Sequence, residues 1–283
     1  LMKTELKEDT QKYGDKRRTL IIERREAQAI KEVELTAVEP VTVVLSTGGW
    51  VRAARGHEVD PIHLNYKAGD EFLSAARGKT IHPAIFFDTR GRSYSLPSHT
   101  LASARGQGEP LTGKLTPSNG ARFLSVVMGL PHQKVLLASD AGYGFVTNIN
   151  NMVTKNTKGK AMLTVPRDCE PLPPIYVNNY ETDYLAAITT EGHMLVIPVK
   201  ALPELPRGKG NKIIQIPPAR LKKREEYVKL LEIIPEGATM KIHAGKQSVR
   251  FTPGNISDFV GERGRRGKKL PRGYRKADRV EII

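Results

Sequence analysis

The stretch IFFDTRGRSY, residues 85–94, carries the pattern on which the fold of this chain depends. An apolar run that suits a buried strand leads into a polar turn containing Gly91, and a second strand-like run follows the turn. Tight hairpin turns need a positive φ, which glycine adopts without steric cost. The stretch therefore predicts a β-hairpin.

Four other stretches repeat this pattern, and they are VVLSTGGWVR (43–52), LLASDAGYGF (136–145), LAAITTEGHM (185–194) and KIHAGKQSVR (241–250). Successive turn glycines lie 42, 51, 50 and 53 residues apart, and they are Gly49, Gly91, Gly142, Gly192 and Gly245. This spacing is close to the length of a four-stranded propeller blade. We therefore predict an all-β, propeller-like disc of about five four-stranded blades.

Two regions differ from the repeats. In residues 1–38 the segments KTELKED (3–9), before Gly14, and ERREAQAIKEVEL (23–35) favour helix. We predict a short helical linker in residues 1–38 and the propeller in residues 39–283. Because the first residue is not Met and the chain opens inside a helix-like pattern, we expect a piece of a longer protein. The stretch PARLKKREEYVKLLEII (218–234) suits a helical insertion or an alternating strand, and its periodicity does not separate the two.

The composition limits the class of protein. Of 283 residues, 45 are Lys or Arg and 30 are Asp or Glu, which gives a formal net charge of +15. Hydrophobic residues make up 39% of the chain, enough for a sizeable core, and the charge points to a polyanionic partner, nucleic acid ahead of an anionic membrane. No apolar run is long enough to span a membrane, and the charged N-terminal stretch does not suit a signal peptide. The single Cys169 excludes an internal disulfide and suits the cytoplasm.

A short basic segment with glycine follows most of the hairpins. We name these segments box 1 (ARGQG, 104–108), box 2 (TKGK, 157–160), box 3 (PRGKG, 206–210) and box 4 (ERGRRGK, 262–268). The first glycine of each box follows the preceding turn glycine by 15, 17, 16 and 19 residues. The first repeat is irregular, because its nearest candidates, Arg55-Gly56 and Arg77-Gly78, lie 7 and 29 residues after its turn glycine. A disordered tail would not keep this register, so we predict that box 4 belongs to the fold.

The spacing predicts that the boxes lie at blade corners on an outer rim and form a curved positive track. Arginine and lysine side chains contact phosphates, and glycine lets the backbone approach them closely. One box alone would suit a solvated turn, whereas several in register favour DNA contact with a steep salt dependence and little sequence preference. The predicted role is phosphate neutralisation, not catalysis, for Arg52, Arg55, Arg77, Lys79, Arg90, Arg92, Arg105, Lys114, Lys155, Lys158, Lys160, Arg207, Lys209, Lys212, Arg263, Arg265, Arg266, Lys268 and Lys269.

Other motifs carry less weight. GEPLTGKL (108–115) matches the start of a P-loop, but Leu115 replaces the Ser or Thr that would hold Mg²⁺, and a loop between strands is the better interpretation. The G-x-x-G strings of box 4 match the KH loop that binds RNA, but a turn and a strand, not a helix, are predicted after them. The seven histidines show neither HExxH nor a CxxC companion, so we predict no catalytic residue, metal or cofactor site.

Aromatic and acidic residues near the turns have two interpretations each. The aromatic residues could stack on bases, but packing in the core or between blades is favoured, and they are Trp50, Tyr94, Tyr143 and Phe145. The acidic residues suit turn formation better than acid–base chemistry, and they are Asp88, Asp140 and Glu191.

Longer strings, in this order, resemble the C-terminal β-pinwheel of bacterial type IIA topoisomerase A subunits: EPVTVVLSTGGWVRAARGH (39–57), LNYKAGDEF (64–72), SARGQGEPLTGKL (103–115), ASDAGYGFV (138–146), GKGNKI (208–213) and GERGRRG (261–267). KYGDKRRTLI (12–21) resembles the segment that leaves their breakage-reunion core. The resemblance covers the chain from Lys12 to its end. It is closer to the topoisomerase IV type than to gyrase, because the glutamine-led gyrase box QRRGGKG is absent and boxes 3 and 4 are only degenerate versions of it.

The resemblance implies a function. Such a domain binds and bends duplex DNA non-specifically and presents the transported segment to the cleavage core, for decatenation and relaxation in chromosome segregation, whereas gyrase wraps DNA tightly. The resemblance also implies a catalytic tyrosine upstream, ATP and Mg²⁺ on other domains, and a heterotetramer of two A subunits with two ATPase subunits, located at the nucleoid. We expect the fragment itself to be a monomer. Two alternatives stay open: a propeller that binds an acidic protein, at the inner membrane face for example, and an RNA-binding module.

Overall fold

The computed structural model describes residues 2–15 and 37–283, and the chain divides into two compact units, Leu1–Leu35 and Thr36–Ile283. In the first unit, helix α1 spans Met2–Tyr13 and is exposed along its length. It confirms the helix predicted to end near Gly14. The second predicted linker helix, residues 23–35, lies outside the described residues.

Within residues 37–283 the chain forms five antiparallel sheets, which we name blades 1 to 5. Blade 1 contains β1 (Pro40–Ser46), β2 (Trp50–Arg55), β3 (Phe72–Lys79) and β6 (Glu109–Pro110). Blade 2 contains β4 (Pro83–Asp88), β5 (Arg92–Pro97), β7 (Phe123–Val127) and β10 (Lys160–Ala161). Blade 3 contains β8 (Lys134–Ser139), β9 (Tyr143–Asn148), β11 (Ile175–Val177) and β14 (Asn211–Lys212). Blade 4 contains β12 (Tyr184–Thr189), β13 (His193–Pro198), β15 (Val228–Ile234) and β18 (Lys268–Lys269). Blade 5 contains β16 (Met240–Ala244), β17 (Gln247–Phe251) and β19 (Arg279–Ile282).

Short helices join the strands. They are α2 (Ile149–Met152), α3 (Pro218–Lys222) and α4 (Pro253–Ser257), with 3₁₀ turns at Ser98–Thr100, Leu111–Gly113 and Val199–Ala201. The stretch 218–234, for which helix and strand both remained open, contains the one-turn α3 followed by β15. A proline at its first position favours the start of α3, and the buried ends of β15 hold the following segment as a strand.

The four-stranded blades share one strand order. In blade 1 it is β3–β1–β2–β6, so the hairpin lies in the middle and a two-residue strand lies at one edge. On the other side, the third long strands of consecutive blades contact one another: β3 contacts β7, β11 contacts β15, and β15 contacts β19. We name these the hub strands. The two-residue strands therefore lie at the edge away from the hub, as predicted for the boxes.

The two-residue strands are exchanged between repeats. Box 1 follows the hairpin of blade 2, yet β6 just after it pairs with β2 of blade 1. Boxes 2, 3 and 4 follow the hairpins of blades 3, 4 and 5, and the strands β10, β14 and β18 at their ends pair with β5, β9 and β13. Each box therefore completes the blade that precedes the hairpin it follows.

This exchange explains the irregular first repeat and an incomplete last blade. Within residues 37–283 no blade precedes blade 1, so its hairpin is followed by no box in register. Within the same residues no further hairpin follows blade 5, and β17 receives no fourth strand there, in the sheet order β17–β16–β19. The prediction of four-stranded blades is thus confirmed for blades 1 to 4 and wrong for blade 5. The C-terminal strand β19 pairs with β16.

The core consists of hydrophobic clusters between consecutive blades. Blades 1 and 2 share Val43, Phe86 and Tyr94, and blades 4 and 5 share Met194 and Ile242. Burying such a side chain stabilises the fold by about 1.5–3 kcal/mol. Two further clusters join blades 2 and 3 and blades 3 and 4, and none among the described residues joins blade 5 to blade 1.

Blades 1 and 5 each have one face that does not pack against another blade within the described residues, and neither of these faces is an exposed apolar surface. On blade 1 the loop 56–71 covers the sheet: Thr42, 1% exposed, donates from Oγ1 to the carbonyl of Gly56 at 2.7 Å. On blade 5 one face is lined by polar cross-strand partners: Lys241 pairs with Arg250, and His243 pairs with Ser248. The row of blades therefore ends in solvated or covered faces on both sides.

Candidate nucleic-acid interface

Each box is fixed to the hairpin turn of the blade that it completes. A backbone N–H just after each box donates to the carbonyl oxygen of that blade's turn glycine, in the pairs Leu111 to Gly49 (3.0 Å), Leu163 to Gly91 (2.9 Å), Ile213 to Gly142 (2.7 Å) and Leu270 to Gly192 (2.8 Å). The four donor residues are buried aliphatic side chains in the blade cores. The apolar residue after each box therefore anchors the basic segment before it.

The last glycine of a box packs against backbone. A Cβ on Gly108 would overlap the carbonyl oxygen of Val51, and one on Gly210 would overlap that of Gly144. Both glycines also have a positive φ, +90° and +75°. The predicted role of box glycines in approaching phosphate therefore does not fit these positions, although the first glycine of box 1, Gly106, has open space around it.

Consecutive boxes are hydrogen-bonded to one another. Gly208 of box 3 donates to the carbonyl of Met162 and accepts from the N–H of Thr164, both at 2.8 Å, just after box 2. Gly264 of box 4 donates to the carbonyl of Ile213, just after box 3, at 2.8 Å. Boxes 1 and 2 are joined by a 2.8 Å bond from the N–H of Thr116 to the carbonyl of Thr157. We name the segments 104–116, 154–164, 206–215 and 262–270 the belt, which is continuous over blades 1 to 4.

Many of the predicted contact residues extend from the belt as exposed cations. Their side chains have no hydrogen bond or ion pair within residues 2–15 and 37–283, and they are Arg105, Lys155, Lys158, Arg207, Lys268 and Lys269, together with Arg90 at the blade 2 turn. Lys209 and Lys212 lie over the ring of Tyr143, with Nζ 3.8 and 5.7 Å from its centroid. These cations are available to an anionic partner.

Two of the predicted contact residues, Arg52 and Arg92, instead donate hydrogen bonds to backbone carbonyls of the protein and so hold neighbouring segments in place. Arg52 is 3% exposed, and its Nη1 donates to the carbonyls of Asn65 (2.8 Å) and Gly106 (3.1 Å). Its guanidinium also lies over the ring of Tyr66, with Cζ 4.5 Å from the centroid, and its Nη2 is buried without a hydrogen-bond partner among the described residues. Because the side chain is enclosed by the loop 56–71, the predicted contact with DNA does not fit this position. Arg92 acts in a similar way from the half-buried edge of β5, because its Nη2 donates to the carbonyl of Gly159 in box 2 at 2.8 Å.

Arg266 of box 4 is held by a buried carboxylate. Its Nη2 donates to Oε2 of Glu226 at 2.7 Å, and its Nη1 donates to the carbonyl of Gln215 at 3.0 Å. Glu226 is 0% exposed and also accepts from Oγ1 of Thr189 at 2.9 Å. Burial alone would raise the pKa of Glu226, but the hydrogen bonds from Arg266 and Thr189 outweigh it, and the net pKa lies below its usual value. Arg266 is therefore an anchor of box 4 and not a free cation.

The remaining predicted residues on the belt are partly engaged at the surface, and the pairs are Lys114 with Glu109, Lys160 with the carbonyl of Asn151, Arg263 with the carbonyl of Lys212, and Arg265 with Glu262. Exposed pairs of this kind contribute little to stability, about 0–1 kcal/mol each. Their cations can exchange a protein partner for a phosphate at small cost.

Besides Arg52, Arg90 and Arg92, three further predicted residues lie outside the belt segments. Arg77 and Lys79 belong to the hub strand β3, so Arg77-Gly78 is not the missing first box. Gly78 instead packs on Met128, which a Cβ would approach to 2.9 Å. Arg55 ends β2, is exposed and lies 3.8 Å from Glu39. Arg77 and Lys79 do not line the same rim as the boxes, because β3 is a hub strand, whereas Arg55 lines a surface cavity together with Ala104 and Arg105 and so lies beside box 1.

A set of carboxylates that hold the hairpin turns was missed in the sequence. Asp70 accepts from Oγ of Ser46 at 2.6 Å, and Asp278 accepts from the N–H of Gly245 at 2.6 Å. Together with Glu226, each lies one or two residues before the hub strand of its own blade. An acidic residue just before the third strand of a repeat was the signal that could have revealed them.

The predicted turn acids and aromatic residues behave largely as expected. Asp88 accepts the N–H groups of Arg90 and Arg92, both at 2.9 Å, and the hydroxyl of Tyr94 at 2.8 Å. Burial, followed by Asp88, raises the pKa of Tyr94 to about 12. Tyr94 and Phe145 are fully buried, which confirms core packing for both. The other two rings are half-buried: that of Trp50 has Nζ of Lys67 3.2 Å from its centroid, and that of Tyr143 lies under the two lysines of box 3 and β14.

The weaker motifs do not form sites. GEPLTGKL forms β6 and a 3₁₀ turn, without the helix that a P-loop needs. Box 4 lies between α4 and strands β18 and β19, so the KH arrangement with a helix on each side is not present there. The part of the chain that the structure describes has no cluster of three or more His, Cys, Asp or Glu suited to a metal ion. The described helices include none of the length and apolarity needed to cross a membrane.

The fold and the belt define a class of protein: a row of propeller blades that exchange their outermost strands and carry a basic box on each exchanged segment. The family described as "DNA gyrase C-terminal domain, beta-propeller" matches residues 133–168 and 183–233. The solved structure of the Escherichia coli ParC C-terminal domain superposes with a TM-score of 0.80 at 49% identity, covering 87% of this chain and 99% of that one. The chain belongs to the family of ParC-type C-terminal domains, which are found in the A subunits of topoisomerase IV.

Curated relatives agree over the whole chain. The DNA topoisomerase 4 A subunits of Pseudomonas aeruginosa and Escherichia coli are 50% and 49% identical to this chain, each over 282 residues. Each comparison covers 100% of this chain and 37% of the relative, so the chain spans little more than a third of their length. A crystal structure of the C-terminal domain of DNA topoisomerase IV, 13% identical with a TM-score of 0.68, shares the fold. The family resemblance and the propeller fold expected from the sequence are confirmed.

Proposed function

We propose that this domain binds duplex DNA along the belt and bends it around the edge of blades 1 to 4. The observation that carries the proposal is the continuity of the belt, whose boxes are joined by backbone hydrogen bonds and present unpaired cations on four successive blades. A formal net charge of +15 supports a polyanionic partner. Arginine and lysine on such a track contact phosphates, which carry no sequence information.

Bending follows from the arrangement of the blades about the hub. A duplex that touches boxes on successive blades must follow the curved outer edge. Smooth bending of a 20–30 bp site costs on the order of 1–6 kcal/mol, and added phosphate contacts offset this cost. Because the free side chains of the belt are flexible cations, the proposed binding is non-specific.

The domain is further proposed to act within a topoisomerase IV complex, where it presents the transported DNA segment to the cleavage core for decatenation and relaxation. Support comes from the relatives, which are topoisomerase 4 A subunits nearly three times as long as this chain. In this proposal the catalytic tyrosine lies in the core, ATP and Mg²⁺ act on other domains, and two A subunits pair with two ATPase subunits near the nucleoid.

A salt titration tests DNA binding. Anisotropy of a labelled 40 bp duplex, measured with the purified chain at several KCl concentrations, should give a log–log slope of about −5 to −9, the value expected when roughly 6–10 phosphates are neutralised. A flat salt dependence, or no binding at low salt, would overturn the proposal and favour an acidic protein partner. Single-stranded RNA that displaces the duplex at lower concentration would favour the RNA-binding module.

A matched pair of double variants locates the surface. Lys268→Gln with Lys269→Gln removes two exposed belt cations and should reduce the salt slope by about 2. Lys241→Gln with Arg250→Gln removes two cations paired across β16 and β17 of blade 5, away from the belt. Equal losses in both double variants would show that total charge, and not the belt, determines binding.

A further inference from the structure

The belt carries the fewest cations where it crosses blade 1. Its segment 104–116 contains Arg105 and Lys114, whereas the other three segments contain three, three and five Lys or Arg residues. Lys114 is already paired with Glu109 at 2.8 Å. A duplex that follows the belt would therefore find one free cation on this segment, unless a residue from outside the boxes supplies another.

The loop 56–71, which covers blade 1, brings Lys67 to this place. Nζ of Lys67 lies 3.2 Å from the centroid of the ring of Trp50, the first residue of β2. Trp50 pairs with Pro110 of β6, which belongs to the belt. Lys67 is half-buried, and within the described ranges its side chain has no ion pair. Its charge is therefore held on a ring beside the belt and is not neutralised by an acid.

A second contact fixes the same loop to box 1. Arg52 lies two residues after Trp50, so both side chains extend from the same face of β2. Nη1 of Arg52 donates to the carbonyls of Asn65 in the loop (2.8 Å) and Gly106 in box 1 (3.1 Å). One guanidinium thus joins the loop to the box, and it does so two residues from Lys67.

Blade 3 has the same arrangement at the equivalent position. Trp50 and Tyr143 are the first residues of β2 and β9, and each comes directly after the turn glycine of its hairpin. The ring of Tyr143 lies under two belt lysines, Lys209 and Lys212. An aromatic residue at this position therefore holds lysines at the belt in two blades. In blade 3 the lysines come from box 3 and β14, and in blade 1 the lysine comes from the covering loop.

We propose that Lys67 is a further phosphate contact of the DNA surface and that Trp50 is the residue that positions it. An aromatic ring approaches one side of a lysine ammonium and leaves N–H groups on the other side for a phosphate. Holding the side chain in place before binding reduces the entropy that is lost when the phosphate is bound. This inference rests on the proposed binding of duplex DNA along the belt, and it extends that surface to the loop 56–71.

The salt dependence of duplex binding tests the contact. Lys67→Gln should reduce the log–log slope by about 1, the change expected for the loss of one phosphate contact, while the protein stays folded. Lys229→Gln is the matched control, because it removes an exposed lysine from the hub strand β15 and should leave the slope unchanged. An unchanged slope for Lys67→Gln, or an equal reduction in the control, would overturn the inference.

Variants of the ring test the positioning role. Trp50→Leu should weaken duplex binding about two- to fivefold, the equivalent of one cation–π contact. Trp50→Tyr, which introduces the aromatic residue of blade 3, should restore most of this affinity. Combined with Lys67→Gln, Trp50→Leu should have no further effect. A loss of the same size with and without Lys67 would show that Trp50 acts on the fold alone, which would overturn its positioning role.

The ring also reports on the contact directly, since Trp50 is the only tryptophan of the chain. Titration with unlabelled duplex should change its fluorescence over the same concentrations as the anisotropy, and the change should be smaller in Lys67→Gln. Unchanged emission while the anisotropy shows binding would overturn the contact. Absence of duplex binding by the unmodified chain would overturn the proposed function and this inference with it, whereas the other contrary outcomes leave the proposed function intact.

Discussion

Arg266 and Glu226 form an ion pair across the junction of box 4 and blade 4, with Nη2 and Oε2 2.7 Å apart. The carboxylate is fully buried and comes from the segment just before β15, and Thr189 of the blade 4 hairpin donates to its other oxygen. The most basic box is thus held in place by an acid. The position of the positively charged box 4 therefore depends on the negative charge of Glu226.

Replacement of that acid separates positioning from simple electrostatics. By Coulomb's law, Glu226→Gln should strengthen DNA binding, because it removes a negative charge near the belt. We expect the opposite, a loss of about 1 kcal/mol in DNA affinity, because box 4 loses its anchor, and a loss of about 3 kcal/mol in unfolding free energy. Duplex titration and urea unfolding measure the two effects.

Glu262→Gln is the control for this variant. It removes the same charge from an exposed residue of the same box, whose carboxylate pairs, among residues 2–15 and 37–283, only with Arg265. Its stability should change by less than about 0.5 kcal/mol, and its DNA affinity should stay the same or rise. Tighter DNA binding by Glu226→Gln than by the unmodified chain would contradict the positioning role.

Two glycines of box 1 should respond differently to alanine. Gly108→Ala places a Cβ against the carbonyl of Val51 at a φ of +90° and should destabilise the domain by about 2 kcal/mol or more. Gly106→Ala meets only an oxygen 4.0 Å away at Ser103 and should be nearly neutral. Chemical unfolding of both variants is the measurement, and similar midpoints for the two would disprove the packing role of the last box glycine.

Arg52 and Arg105 should separate stability from DNA binding. Arg52→Gln removes a buried cation with two carbonyl acceptors and should cost about 2–3 kcal/mol of unfolding free energy, with the salt slope of DNA binding unchanged. Arg105→Gln should leave stability unchanged and reduce the slope by about 1. If Arg52→Gln is folded and still reduces the salt slope, Arg52 contacts DNA after all.

The blade 4 junction should make the domain less stable in acid. Burial, then the charge of Arg266, lowers the pKa of His193 despite the nearby Glu226. The unfolded chain therefore binds more protons than the folded one, and stability contributed by the neutral ring is complete above about pH 6.5 and is lost as the pH falls through the folded pKa. The lowered pKa of Glu226 acts in the same direction, starting below about pH 4.5.

Thermal unfolding at several pH values checks whether stability falls as the pH is lowered. The unmodified chain should melt at a lower temperature at pH 5.5 than at pH 7.5, and His193→Gln should reduce the difference. The lowered pKa of His82 accounts for part of what remains. A higher melting temperature at pH 5.5 would contradict the assignment.

The hairpins and boxes could be predicted because both depend on local chemistry. A turn glycine such as Gly91 has a φ of +74°, and that requirement is visible in the sequence as a glycine between two apolar runs. The blade period follows from the same glycines. The family strings then placed the chain among topoisomerase IV A subunits, which the relatives confirm.

The exchange of strands could not be predicted in this way. The strands that complete blades 1 to 4 are two residues long, too short for any periodic pattern, and their partners lie more than 50 residues earlier in the chain. Arg52 and Arg105 also looked alike in the sequence, because the sequence does not show which strand a loop will cover. Only the loop that covers blade 1 makes one of them internal and leaves the other exposed.

Strand exchange also sets an order in which the domain can be completed during synthesis. Blade 4 needs β18, which the ribosome adds some 70 residues after β13, so at about 5–20 residues per second its edge stays unpaired for several seconds. Each of blades 1 to 4 waits in this way for the hairpin of the next blade. An unpaired strand edge can pair wrongly with another chain, so the period of greatest risk for each blade is the time taken to translate its successor.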